Sequence, residues 1–120
     1  MRITRLVQLA ACAAFVAAAT PLGAAPVTVK GEVVDVACYT KNHANKGDAH
    51  KGCTEDCAKK GKPLALVTAD GSVYKIVGDY AANDNAKLIP MLSVPVEATG
   101  EVTEKDGAKE LKVSAMKKAS

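Results

Sequence analysis

Val94-Pro95-Val96-Glu97-Ala98-Thr99-Gly100-Glu101-Val102-Thr103 changes face at every residue. Val94, Val96, Ala98, Gly100 and Val102 fall on one side, and Pro95, Glu97, Thr99, Glu101 and Thr103 on the other. A period of two is the mark of a strand with one face buried. Glu104-Lys105-Asp106-Gly107 follows, and an Asp-Gly pair between alternating segments predicts a tight hairpin. Leu111, Val113 and Ala115 then alternate with Glu110, Lys112 and Ser114 in a return strand. The lysine-rich end beyond it is expected to fray.

Upstream the same signals recur. Leu64 to Thr68 and Val73 to Val77 are apolar on both faces and flank Ala69-Asp70-Gly71-Ser72, a second hairpin turn. Residues 79–92 carry a weak helical pattern through Ala82, Ala86 and Ile89, broken by Pro90. Val27 to Val36 is valine-rich and reads as the first strand. Its polar positions Lys30 and Glu32 give way to Val34 and Val36, as in a strand that runs from a half-exposed into a fully buried place. Residues 39–52 are polar and predict a long loop. A short helix is expected from Cys53 to Lys60, with Gly61 placed to end it and Pro63 to prevent its extension. The fold class is therefore mostly β. The predicted architecture is a five-stranded OB-like barrel, with a short Cys-bearing helix inserted between strands 1 and 2 and a short helix between strands 3 and 4. Another small β-barrel or an open meander is the alternative.

The chain begins with Arg2 and Arg5, then an apolar run from Leu6 to Ala19 broken only by Gln8, then small residues at Gly23-Ala24-Ala25. Basic, apolar, small is the order of a secretory signal. The run is also shorter than the roughly 20 residues a permanent membrane helix needs. Residues 1–24 are read as the signal and 25–120 as one domain, exported to the periplasm or beyond. Leu9-Ala10-Ala11-Cys12 has the form of a lipoprotein box, but it stands after only six apolar residues. A soluble export product is the expectation.

Past the signal the chain has 14 lysines, no arginine and 13 acids. A net charge of +1 does not suit a nucleic-acid partner, which calls for a clear basic excess. The lack of arginine removes bidentate phosphate recognition. Tyr39, Tyr74 and Tyr80 are the aromatic residues after the signal, too few for a stacking platform. No integral membrane segment is expected after signal removal. No Ser/His/Asp set, phosphate loop or acid pair stands out, so no catalytic residue is assigned.

Removal of Cys12 leaves Cys38, Cys53 and Cys57. An odd number of thiols cannot all pair within one chain, so in an oxidising compartment the third needs a role. If a helix starts near Asp48, His50, Cys53 and Cys57 stand at i, i+3 and i+7 on one face, and Cys38 approaches from the end of strand 1. The four make a Cys3His donor set, suited to tetrahedral zinc or, through soft thiolates, to copper. Gly52 weakens a continuous helix, in which case His50 stands on the loop. His43 is a further candidate donor. A closed site of four protein ligands would be structural or a carrier rather than hydrolytic.

Two other readings use the same residues. Cys38 joined to Cys53 or Cys57 would staple the loop to a ligand-binding barrel. Alternatively Cys53 or Cys57 would act as a redox thiol in thiol–disulfide exchange, Cys53 being favoured near a helix start. Glu55 and Asp56 read as a solvated helix face. Asp35, between Val34 and Val36, is expected to find backbone donors at the strand end, or else to be an acid with a raised pKa.

Gly31-Glu32-Val33-Val34-Asp35-Val36-Ala37-Cys38-Tyr39, then His50-x2-Cys53-x3-Cys57, then Gly61-Lys62-Pro63-Leu64 and Asp70-Gly71-x2-Tyr74 resemble a group of small exported bacterial proteins. The resemblance spans most of the chain after the signal. It implies that Cys38, His50, Cys53 and Cys57 belong to one pattern. It brings no activity with it.

Overall fold

A computed structural model describes residues 25–119; the expected signal segment and Cys12 lie outside the described residues. The valine-rich start forms β1 (Val27–Asp35), followed by α1 (Val36–Lys41), a 3-10 turn (Asp48–His50) and α2 (Lys51–Lys59). The two short apolar runs form β2 (Leu64–Val67) and β3 (Val73–Val77). Residues 78–91 form only single turns, among them α3 (Ala82–Asn85). The alternating segments form β4 (Pro95–Lys105) and β5 (Ala108–Lys118).

The five strands form a mixed sheet that closes on itself in the order β1-β2-β3-β5-β4. All neighbours are antiparallel except β3 and β5, which run parallel. β1 makes the closure: residues Val27–Glu32 pair with β4, and residues Glu32–Asp35 with β2. Gly31 sits where the partners change, and a Cβ there would lie 2.3 Å from the Val67 carbonyl oxygen. Only glycine lets β1 pass that close to β2.

Alternation decides the core. Val29 and Val33 of β1, Leu64 and Leu66 of β2, Ile76 of β3, Val96 and Ala98 of β4, and Leu111 and Val113 of β5 fill the interior. Leu88, Leu92 and Ala58 of α2 pack onto the same cluster. A second small cluster, Val34, Tyr39 and Val67, lies beneath α1. It accounts for the apolar switch in β1: Val34 is buried on the face opposite Val33 because α1 folds back over it.

Three details depart from the expectations. The strand stops at Asp35, and residues 36–41 are helical where the sequence predicts strand end and loop. The cause is Asp35 itself, whose side chain accepts from the Cys38 N–H as a helix N-cap. The C-terminal lysines do not fray: Lys117 and Lys118 pair with Glu97 and Val96. Finally, the register of β4 and β5 shifts between Thr99 and Gly100, so that Thr99 faces Ala115 and Gly100 faces Val113. This bulge turns Ala115 outward and buries Met116 in its place.

Candidate metal centre

Cys38 is the third residue of α1, and its backbone is held on both sides. Its N–H donates to Asp35 Oδ1 at 2.8 Å, and its carbonyl accepts from the Asn42 N–H at 3.1 Å and from Asn45 Nδ2 at 2.9 Å. Cys53 and Cys57 are four residues apart on α2, so their side chains rise from one face on successive turns. The C-terminal end of α2 closes as a Schellman motif. Gly61, at φ 74°, donates to the Ala58 carbonyl at 3.0 Å, and Lys62 donates to the Cys57 carbonyl at 3.2 Å. This is the stop that Gly61 predicts. From across the chain, Asn85 Nδ2 donates to the carbonyls of Ala58 and Lys62, each at 3.0 Å. The Val36 N–H donates to the Pro63 carbonyl at 3.2 Å, tying the start of α1 to the residue just before β2.

The result is a cluster. The sulfurs of Cys38, Cys53 and Cys57 all lie within 4.8 Å of one another. All three are free thiols; Cys53 is exposed, Cys38 and Cys57 are half-buried. Three thiolates around one zinc, at about 2.3 Å each, stand roughly 3.8 Å apart in a tetrahedron. A metal would therefore draw the sulfurs in by about 1 Å at most, with no change of fold.

Two of the thiols hold their protons tightly. Contact with the Asp35 carboxylate, then burial, then the charge of Asp35 push Cys38 up from the ordinary 9.0 to about 12. Burial raises Cys57 as well, followed by the charge of Asp35, with Lys62 acting in the opposite sense. A cation would reverse this environment, since it replaces protons and is attracted by the same carboxylate.

The remaining candidates fall elsewhere. His50 precedes α2 and is not within 4.8 Å of all three sulfurs. Its carbonyl accepts from the Thr54 hydroxyl at 3.1 Å, and its Nε2 is buried without a hydrogen-bond partner. His43 is exposed and stacks on Tyr39, ring centroids 4.6 Å apart. Glu55 pairs with Lys59 at 2.8 Å on the outer face of α2. Asp35, expected at backbone donors, is 1% exposed and finds one donor for one oxygen. The helix α1 and the asparagines that hold the site, Asn45 and Asn85, went unmarked in the sequence. Asn45 stands seven residues from its acceptor, and Asn85 acts over 23 and 27 residues, so no local pattern announces either contact.

A cleft of about 430 Å3 between Tyr80, Lys87, Glu101 and Lys112 contains no residue of the cysteine segment. Among the described residues, no helix is long and apolar enough to cross a membrane. No family model matches the chain, and neither a curated protein nor a solved structure matches it.

Proposed function

We propose that this domain is an exported metal-binding module, periplasmic or secreted, that holds one transition metal, zinc or copper, through Cys38, Cys53 and Cys57. The observation that carries the reading is the convergence of three sulfurs, from two helices, to within 4.8 Å. The closed strand order, the parallel β3–β5 contact and the cysteine-bearing insertion after β1 support an OB-like barrel as the scaffold. His50, three residues before Cys53, is the fourth donor that the sequence pattern suggests. Three thiolates and a fourth protein donor would close the site, which favours a structural or carrier role. The exposed Cys53 favours the carrier, because a metal held at the surface can pass to an incoming ligand.

The test is metal analysis with a thiol count on protein purified without chelators. The expected outcome is one equivalent of metal, with all three thiols shielded from a thiol reagent until a chelator is added. Metal-free protein with three reactive thiols would overturn the reading.

The same exposure of Cys53 supports a second reading, thiol–disulfide exchange. That reading expects one intramolecular disulfide and one remaining thiol after treatment with oxidised glutathione, and turnover of a disulfide substrate.

A further inference from the structure

Two buried side-chain polar atoms among the described residues lack a hydrogen-bond partner: Oδ2 of Asp35 and Nε2 of His50. Buried polar atoms are nearly always paired, and an orphan points to an ion, a water or a chemical role. Both orphans belong to residues that flank the thiol cluster in sequence, but they are not equivalent. Asp35 is 1% exposed and rigidly set: its Oδ1 is fastened by the Cys38 N–H at 2.8 Å, which leaves Oδ2 free. Its carboxylate stands close enough to the Cys38 and Cys57 thiols to raise both. His50 is half-buried as a residue and is not among the groups that act on Cys38 or Cys57.

We propose that Oδ2 of Asp35 is the fourth ligand of the metal site, completing a Cys3Asp tetrahedron with Cys38, Cys53 and Cys57, and that the metal is zinc(II) rather than copper(I). The assignment rests on reading the thiols as a metal site and goes beyond it by naming the fourth donor and the metal. Neither Asp35 nor His50 lies within 4.8 Å of all three sulfurs, so the fourth donor is reached as the cluster contracts. Of the three thiols, Cys38 and Cys57 are the two on which the Asp35 carboxylate acts.

Ligand chemistry then selects the ion. Zinc takes carboxylate oxygen at about 2.0–2.2 Å alongside thiolate sulfur, whereas copper(I) prefers sulfur alone. Charge works in the same direction. Three thiolates and a carboxylate sum to −4, which a divalent ion reduces to −2 and a monovalent ion only to −3. In a half-buried site the smaller residual charge costs less, and Lys62, close enough to act on Cys57, offsets part of it.

Asp35→Asn separates ligation from structure. Asparagine caps a helix as well as aspartate does, so α1 keeps its start while the anionic oxygen is lost. Asp35→Ser, also a capping residue, serves as the second variant if Asn disturbs folding. Zinc(II) and, anaerobically, copper(I) are each titrated against a chromophoric chelator for wild type, Asp35→Asn and His50→Ala. Cobalt(II) reports the coordination geometry by its absorption spectrum. The expected result is a loss of at least about 10–100-fold in zinc affinity for Asp35→Asn. Copper(I) affinity should be unchanged, the cobalt spectrum altered, and His50→Ala should behave as wild type. Unchanged zinc binding in Asp35→Asn would reduce Asp35 to a helix cap and overturn the assignment. So would a loss that follows His50→Ala instead, or an equal loss for copper(I). If wild type binds neither metal, the thiol-site reading itself fails, an outcome distinct from tight binding that ignores Asp35.

Discussion

At the scale of single residues, the Asp35–Cys38 pair has a measurable signature in the metal-free protein. The fold raises Cys38 from 9.0 to about 12, so folded Cys38 keeps its proton where the unfolded chain would release it. A group of raised pKa contributes its stabilisation in full below the unfolded value and loses it as pH climbs through the folded value. Stability of the metal-free protein is therefore expected to decline between pH 9.0 and about 12. Cys38→Ser should flatten that decline, as read by denaturant midpoints at a series of pH values. An equally steep decline in the Ser variant would refute the coupling. The same pairing orders reactivity. Cys53, the exposed thiol, should be the first to be alkylated at neutral pH, and Cys38 should lag because almost none of it is thiolate.

At the scale of elements, the placement of α2 depends on a strained turn. Asn83, Asp84 and Asn85 have φ of 54°, 54° and 58°, three left-handed residues in a row. Such a conformation costs about 1–2 kcal/mol for an ordinary residue, less for Asn and Asp. It persists because Asn85, 2% exposed, spends both amide hydrogens on the carbonyls at the end of α2. Asn85→Ala should destabilise the metal-free protein by about 2–3 kcal/mol, from two lost hydrogen bonds and a worse fit to positive φ. Asn85→Gly should cost less, since glycine accepts the backbone and loses only the bonds. Equilibrium unfolding of both variants checks this, and equal costs would show that strain plays no part. The stop of α2 was legible in sequence because Gly61 and Pro63 are local signals. The anchor at Asn85 was not, since nothing near Asn85 distinguishes a buried amide from a loop asparagine.

At the scale of the molecule, the closed sheet and the thiol cluster share one core. Ala58 of α2 belongs to the interior cluster, and β1 runs directly into α1. A ligand that binds only the folded form adds stability by mass action, about 2.7 kcal/mol at 100 times its dissociation constant. For a domain of this size that is roughly 10–20 °C in Tm. Zinc(II) should therefore raise the Tm of the wild type but not of Cys57→Ser, in thermal melts with and without metal. An equal shift in both would place the metal elsewhere. The surface charge plays a smaller part. Glu97 joins Lys30 at 3.2 Å and Lys117 at 3.4 Å across β1, β4 and β5, and these lysines hold its carboxyl below the usual range. Any stabilisation from this surface trio, a half-buried Glu97 between two exposed lysines, is lost as pH falls through the lowered value and is weakened by salt.

The sequence alone determined what depends on period and on local chemistry. Alternation from Val94 to Thr103 placed Val96, Ala98 and Gly100 on the inner face of β4, and the Asp-Gly turns placed both hairpins. Gly61 marked the end of α2, and counting thiols singled out Cys38, Cys53 and Cys57. Tertiary structure decided everything that joins distant residues. It showed that β1 closes the barrel between β2 and β4, and that the Thr99/Gly100 bulge buries Met116 instead of Ala115. It also brought the Asp35 carboxylate close enough to the Cys38 thiol to raise it. The physical reason is that an N-cap ends β1 at Asp35 and folds Cys38 back over the strand. Which carboxylate or imidazole meets a sulfur depends on that reversal, and a side chain's capacity to cap does not reveal what its second oxygen will face.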